Sequence, residues 1–218
     1  CAHSCLLHSA RVVLTLHSRP MPFRTGARLL VDQLLIQGVN HAFTVPGESF
    51  LPVLDALYES REMVKLIVNR HESGATFMAE AYAKLNGQPG VAFVTRGPGA
   101  TNAAIGVHVA HQDSSPLILF IGQVGNDFIE REAFQEIDYR RMFGQMTKWV
   151  AQIDRADRVP EFVARAFQVA TSGRAGPVVL ALPEDMQTVK ADVGDALCHQ
   201  PVLGAPSDTQ IAALRRLL

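Results

Sequence analysis

The chain has 218 residues, 48% of them hydrophobic, and carries 20 Lys and Arg against 21 Asp and Glu. A charge so nearly balanced gives no reason to expect a nucleic acid or a membrane surface as a partner. No apolar run approaches the ~20 residues that span a bilayer. Three cysteines, Cys1, Cys5 and Cys198, are too few and too dispersed to predict a disulfide framework.

Residues 1–20 do not read as part of a folded domain, because they contain no acidic residue and only one short apolar run, 12–16. That run is shorter than the core of a secretory signal. Arg and Ser without acids faintly resemble an organelle transit peptide, but Met21 is a natural start. We therefore interpret 1–20 as a leader or expression-derived sequence and expect a cytoplasmic protein. The cluster of Cys1, His3, Cys5 and His8 matches no standard zinc spacing.

Helix and strand patterns alternate regularly from Thr25, a predicted N-cap of a helix that ends at Gly38. Strands are predicted at 39–45, 64–68, 90–95, 116–121 and 177–182, and further helices at 50–59, 72–86 and 159–171. The strand at 90–95 is followed by a loop at 96–102 and then by a helix to about Ala110. Residues 123–146 are polar and are expected to be partly irregular. Short, continuous apolar strands that alternate with helices predict an α/β fold: a doubly wound, mainly parallel sheet with helices on both faces.

The same patterns predict the domain organisation. We expect one domain over 21–186 and a linker over 187–206, which is rich in Gly, Pro and small residues. A helix then begins near Asp208, with Ile211, Leu214 and Leu218 on one side. Because nothing in the sequence is left to cover that stripe, we interpret 207–218 as the start of a truncated central domain.

Glu72 is the residue around which a site is predicted. It follows the strand at 64–68, lies in the first turn of the next helix, and points along the same side as Ala75 and Ala79. Met78 and Tyr82 are expected on that inner stripe as well. A buried carboxyl needs a partner, since burial alone costs several kcal/mol, roughly. If the site is dry, desolvation outweighs the helix dipole, which contributes about 0.3–1 kcal/mol, and Glu72 can share a proton. The alternative is a surface Glu in the first helical turn that the dipole stabilises.

Three loops are predicted to meet at the carboxyl ends of parallel strands, where such sheets bind ligands. They are 45–48, 70–72 and 96–102. The third, Gly97 to Asn102, resembles a dinucleotide fingerprint but has Asn102 in place of the third glycine, so a nucleotide-binding function stays an alternative. Its glycines also suit a simple tight turn.

Metal sites receive little support from the sequence. His71-Glu72 begins like a zinc-protease helix, but Ala75 occupies the position of the second histidine. His108 and His111 lie one helical turn apart near Asp113, yet exposed or hydrogen-bonded histidines account for that spacing equally well.

Several ordered motifs resemble the acetolactate synthase group of thiamine-diphosphate-dependent enzymes. The segment from Arg70 through Ala83 is similar to that group's glutamate signature, and Val94 to Asn102 to its glycine loop. The remaining matches follow in the right order: Asp113 to Leu117, Ile121 to Val124, Ala133 to Glu136, Thr147-Lys148, Gly176 to Val178 and Leu182-Pro183. The resemblance covers Thr25 to about Met186.

This resemblance implies a pyrimidine-binding domain in which Glu72 hydrogen-bonds and activates the cofactor's aminopyrimidine ring. It places Pro46, Gly47, Pro98, Asn102 and Gln135 around the same pocket. It further implies a 2-keto acid substrate, decarboxylase or carboligase chemistry, and a homodimer or homotetramer. The group's diphosphate motif, Gly-Asp-Gly followed by Asn, is absent from the chain. Mg²⁺, and FAD where it is present, would therefore belong to missing central and diphosphate-binding domains, and the fragment alone is expected to be inactive.

Three residues depart from the group's pattern. Arg96 stands where a small Ser is common, and Glu48-Ser49 replaces a Gly-Ala pair. Both changes fall at the mouth of the expected pocket. A charge at Arg96 would favour an anionic acceptor, whereas a solvated Arg would have no such effect. The sequence leaves both interpretations open.

Overall fold

A six-stranded parallel sheet forms the centre of the molecule in the computed structural model, which describes residues 23–202 and 204–218. Its strands are β2 (His41–Thr44), β3 (Lys65–Val68), β4 (Gly90–Val94), β5 (Leu117–Gln123), β6 (Trp149–Gln152) and β7 (Val178–Pro183). They lie in the order β3-β2-β4-β5-β7-β6. A separate two-residue ladder pairs β1 (Arg24–Thr25) antiparallel with β8 (Lys190–Ala191).

Helices connect the strands. They are α1 (Gly26–Ile36), α2 (Leu51–Glu59), α3 (Glu72–Asn86), α4 (Gly97–Asp113), α5 (Tyr139–Phe143), α6 (Val159–Thr171), α7 (Glu184–Thr188) and α8 (Asp208–Leu217). Single 3₁₀ turns occur at Glu48–Phe50, Asn126–Phe128 and Ala156–Arg158. Thr25 caps α1 as predicted, since its Oγ1 accepts the amide hydrogen of Arg28 at 3.2 Å.

Each face of the sheet has its own apolar core, which confirms the predicted doubly wound α/β class. Alternate residues of β4 divide between the two faces: Phe93 packs with α1, α2 and α6, whereas Ala92 and Val94 pack with α3 and α4. On the first face Phe93 stacks on Phe120, with ring centroids 4.9 Å apart. Burial on both faces explains why the central strands are continuously apolar in sequence.

The inner stripe of α3 differs from the prediction in one respect. Ala75, Ala79 and Glu72 are buried, but Met78 is 42% exposed and Tyr82 is half-buried. Met78 precedes Ala79 by a single residue and so points roughly 100° away from it. The expectation that Met78 faces inward is therefore wrong. The buried side of α3 is made instead of small and polar residues, including Thr76 and Glu80.

Residues 193–199, which we name the C-terminal strap, run along α1. Gln33, fully buried, exchanges two hydrogen bonds of 3.0 Å with the backbone of Ala196. One turn further, Gln37 donates to the carbonyl of Leu197 at 3.0 Å and accepts from the amide of His199 at 2.9 Å. About a third of the predicted linker is thus attached to the first helix by side-chain amides, although the domain limits themselves stay a prediction.

Two further sequence predictions concern the leader and the absence of a membrane-spanning segment, and the structure describes only part of the chain. The predicted leader, 1–20, with Cys1, His3, Cys5 and His8, lies outside the described residues. Over 23–202 and 204–218, no helix combines the length and apolarity needed to cross a membrane.

Candidate active site

The three predicted loops follow three neighbouring strands. β3, β2 and β4 are adjacent in the sheet, and all three are parallel. After β2 the chain moves to one side to form β3, then returns to the other side of β2 to form β4. The strand order therefore reverses between β2 and β4, and a crevice at such a reversal is where open parallel sheets bind ligands.

Glu72 lies at this edge of the sheet with its side chain turned inward. It is the first residue of α3 and is 9% exposed. The helix begins there because His71 has an extended backbone and its Nδ1 accepts the amide hydrogen of Ser73 at 3.2 Å. The α3 helix then packs against α4 through Thr76, whose hydroxyl donates to the carbonyl of Ala103 at 3.2 Å. This packing directs Glu72 towards the start of α4.

Asn102 supplies the partner that the buried carboxyl requires. Its Nδ2 donates to Oε2 of Glu72 at 2.9 Å. Among the described residues, this is the hydrogen bond that the Glu72 side chain makes, so Oε1 keeps its capacity to accept or hold a proton. Asn102 itself is exposed, so the hydrogen-bonded pair lies at the surface of the protein.

Gly47 and Gly99 allow the turns after β2 and β4 to meet around Thr95. A Cβ atom at Gly47 would lie 2.5 Å from Cβ of Thr95, and one at Gly99 would lie 2.9 Å from Cγ2 of the same residue. Both distances are shorter than van der Waals contact, so only glycine fits at either position. The Cβ position at Gly99 is also 3.5 Å from Oε1 of Glu72. The two glycine turns and the carboxyl are therefore one contiguous cluster.

The two prolines of the predicted pocket lie on the rim of this cluster. Pro46 precedes Gly47 and is exposed. Pro98 is exposed in the first turn of α4, where a missing amide hydrogen costs nothing, and its carbonyl accepts from Thr101 at 2.8 Å.

Gln135 reaches the site through its backbone. Its carbonyl accepts the amide hydrogen of Gly97 at 2.9 Å, at the start of α4. Gln135 has a φ of 63°, a left-handed conformation that non-glycine residues adopt at a cost and that often marks functional loops. Glu130 and Glu132 of the same loop also have positive φ. The six predicted residues thus lie on the turns after β2 and β4, at the start of α3 and α4, and in the loop that contacts Gly97, and their role as one pocket stays a prediction.

Arg96 was recognised in the sequence as a departure, but its surroundings were not foreseen. It is 7% exposed, so the interpretation as a solvated Arg is wrong. Its Nη1 pairs with Oε1 of Glu48 at 2.9 Å, and its Nη2 pairs with Glu184. Glu184 follows β7 directly, and no periodic pattern in the sequence links it to a loop 88 residues earlier.

The metal-site alternatives gain no support. Over 23–202 and 204–218, no group of three His, Cys, Asp or Glu side chains is arranged to hold a metal ion. Asp113 instead forms an ion pair with Lys84, and His108 is exposed.

A cavity lies away from these loops, in a groove of about 1280 Å³ between α6 and the C-terminal strap. Burial lowers the pKa of His199 in this groove, and the ring nitrogen lies 3.1 Å from the Thr171 hydroxyl. The groove follows no strand end of the sheet and contains none of the predicted site residues. We therefore place the candidate active site at Glu72.

Comparison with known proteins gives a consistent match. The family model "Thiamine pyrophosphate enzyme, N-terminal TPP binding domain" matches residues 24–142. The chain is 44% identical over 163 residues to the mitochondrial acetolactate synthase catalytic subunit of Aspergillus candidus. This alignment covers 75% of this chain and 23% of that protein. It is 42% identical over 168 residues to a probable acetolactate synthase large subunit of Methanocaldococcus jannaschii, covering 77% and 28%. It is 41% identical over 168 residues to the acetolactate synthase isozyme 2 large subunit of Escherichia coli, covering 77% and 30%. The chain thus spans about a quarter to a third of the length of these relatives.

Proposed function

Since this chain belongs to the thiamine pyrophosphate enzyme family through an N-terminal TPP-binding domain, we propose that it is the pyrimidine-binding part of a 2-keto acid decarboxylase or carboligase similar to acetolactate synthase. Thiamine pyrophosphate is the cofactor also called thiamine diphosphate. One observation carries the proposal: the buried Glu72 carboxyl, held by Asn102, lies at the reversal point of the strand order. A carboxyl so placed is suited to exchange a proton with a heterocycle.

The residues at the site fit an aminopyrimidine ring. Asn102 fixes Oε2 of Glu72, so Oε1 is the atom that would hold or release a proton at a ring nitrogen. The absence of a side chain at Gly99 keeps the approach to Oε1 open. Pro46, Gly47 and Pro98 would bound the ring, and Gln135 closes the side next to Gly97. When bound, thiamine diphosphate supplies the cleavage of the bond between the keto carbon and the carboxylate of a 2-keto acid.

The proposal extends to parts that this chain does not contain. The aligned residues make up 23% and 30% of two curated relatives, which are therefore about two and a half to three times as long as this chain, and the diphosphate motif of the family is absent from the sequence. We propose that domains beyond 21–186 hold the diphosphate with Mg²⁺, and FAD where it is used, and that 187–206 links to a central domain beginning near 207. In this proposal the active enzyme is a cytoplasmic homodimer or homotetramer, and the chain alone is inactive.

The alternative is a non-catalytic nucleotide-binding module that uses the loop from Gly97 to Asn102 as a phosphate cradle. Two features count against it. The amide of Gly97, which such a cradle would use, already donates to Gln135. The carboxylates of Glu72 and Glu48 also lie beside the loop, and they would repel a phosphate.

The test is the substitution Glu72→Gln in the full-length enzyme. Glutamine keeps the shape and the hydrogen bond to Asn102 but cannot exchange a proton. We expect turnover of a 2-keto acid to fall by about 10²–10⁴, the range for a positioned acid or base. A thermal unfolding curve of a separate sample first shows that the variant is folded, and turnover is then measured.

Glu80→Gln is a matched control for this test. Glu80 is also a buried carboxyl of α3, 5% exposed, and it accepts a hydrogen bond from Ser115 at 2.7 Å, two turns away from the site. We expect this variant to keep its turnover. Full activity of Glu72→Gln, or an equal loss in both variants, would contradict the role of Glu72.

A further inference from the structure

Arg96 joins three of the loops that border the candidate site. It follows β4, while its two partners follow other strands: Glu48 comes after β2 and Glu184 after β7. We call these three residues the Arg96 network. The guanidinium side chain is 8% exposed, whereas the side chains of Glu48 and Glu184 are 68% and 43% exposed. A buried cation is thus covered by two acids that face solvent.

The burial of Arg96 makes the two ion pairs unlike ordinary surface pairs. A guanidinium removed from water needs compensating carboxylates, and removal of a partner leaves an uncompensated buried charge. Both terminal nitrogens of Arg96 are engaged, and its buried Nε has no hydrogen-bond partner in the described residues. The network carries one positive and two negative charges. Arg96 therefore does not present a free cation to an anionic acceptor.

Glu48 connects the network to the turn that carries Pro46 and Gly47. The residues that follow this turn are anchored in the core, because Ser49 and Phe50 are fully buried and the Ser49 hydroxyl lies 3.0 Å from the Thr95 hydroxyl. Pro46 and Glu48, within the turn itself, are exposed to solvent. The ion pair to Arg96 ties this exposed side to the start of α4, where Gly99 approaches Glu72.

We propose that Arg96 is a positioning residue for the thiamine diphosphate ring, which acts through Glu48 to hold the Pro46-Gly47 turn at a fixed distance from the Gly97–Gly99 turn. This inference rests on the proposed function, because the two turns are the walls between which Glu72 meets the ring. A displacement of about 1 Å in a group that positions a substrate can lower the reaction rate about 10²-fold. Arg96 and Glu48, two of the three residues that depart from the family pattern, act in this view as one pair.

The experiment measures the dissociation constant of thiamine diphosphate, in the presence of Mg²⁺, by calorimetry on the full-length enzyme. Four variants are compared with the wild type: Arg96→Gln, Glu48→Ala, the double variant, and Glu184→Ala. We expect Arg96→Gln and Glu48→Ala each to weaken binding by about 10–100-fold, the range typical of groups that orient a binding residue. The double variant should bind thiamine diphosphate no more weakly than the single variant with the lower affinity, because both substitutions remove the same ion pair.

Glu184→Ala is the matched control. It removes an equal charge from the same guanidinium but leaves the tether between Arg96 and the Pro46-Gly47 turn. We expect its affinity to stay near that of the wild type. A general electrostatic or folding effect would instead weaken binding equally in Glu184→Ala and Glu48→Ala, and that result would overturn the inference.

Other outcomes are equally decisive. Wild-type affinity in Glu48→Ala, or additive losses in the double variant, would reject the positioning role. If Arg96→Gln does not fold, Glu48→Ala still decides, since Glu48 is largely exposed. A wild-type enzyme that does not bind thiamine diphosphate would overturn the proposed function and this inference together, whereas normal wild-type binding with an unaffected Glu48→Ala rejects this inference alone.

Discussion

In the proposed function, the Asn102 amide determines which oxygen of Glu72 is available for proton exchange. Its hydrogen bond engages Oε2 and leaves Oε1 beside the Gly99 turn. A hydrogen bond to a charged group contributes about 1.5–3 kcal/mol. The orientation of the carboxyl therefore depends on a residue that is itself exposed to solvent.

This dependence predicts the effect of Asn102→Ala in the full-length enzyme. The variant keeps the acid but removes the group that orients it, so we expect turnover to fall by about tenfold, less than for Glu72→Gln. Thr101→Ala serves as the control, because Thr101 is the exposed neighbour whose hydroxyl donates to Pro98 within the same turn. Wild-type turnover in Asn102→Ala would show that the carboxyl needs no such support.

The sequence predicted that Glu72 points inward and needs a partner, because helix geometry fixes the direction of the first turn. It placed Asn102 in the same pocket by resemblance but did not predict the hydrogen bond between the two side chains. That bond joins residues 30 positions apart on two packed helices. Arg96 shows the same limit, since its burial is determined by acids from two distant loops.

At the scale of elements, the attachment of the C-terminal strap to α1 depends on two glutamine side chains. Gln33 is fully buried, and its amide pairs with both backbone groups of Ala196. Backbone groups that lose such a partner inside the protein cost about 1–3 kcal/mol. The strap is therefore expected to contribute to the stability of the domain.

Gln33→Ala tests this contribution. We expect the free energy of unfolding, measured by urea denaturation, to fall by about 1–3 kcal/mol, because Ala196 loses both hydrogen bonds. Gln145→Ala, at an exposed position, should change it by less than about 0.5 kcal/mol. An unchanged stability in Gln33→Ala would mean that solvent replaces the glutamine amide without cost.

Among the elements, the buried ones were the most predictable. β5 and α6 were predicted nearly to the residue, because continuous apolar runs and a strong helical period mark them. β6, Trp149–Gln152, has no counterpart among the predicted strands. It has four residues, is only half-buried and pairs with β7 alone at the edge of the sheet, so its sequence lacks the apolar signal of a central strand.

At the scale of the whole molecule, the fold class followed from the alternation of elements, but the strand order did not. The order β3-β2-β4-β5-β7-β6 is decided by the crossover connections, which periodicity does not report. Yet that order creates the site, because it makes β2 and β4 neighbours on either side of the reversal point.

The distribution of functional groups over the molecule yields the last prediction. In the proposed function the residues around Glu72 bind the ring of thiamine diphosphate, whereas the family's diphosphate motif is absent from the sequence. The helix α8 also exposes Leu214 and Leu217. We therefore expect the 218-residue chain by itself to show no turnover of a 2-keto acid and only weak binding of thiamine diphosphate by calorimetry. Addition of a separately produced remainder of the enzyme should restore both.

Tight binding of NAD or ADP to the chain alone would instead favour the nucleotide-binding module, since only that alternative requires no further domain.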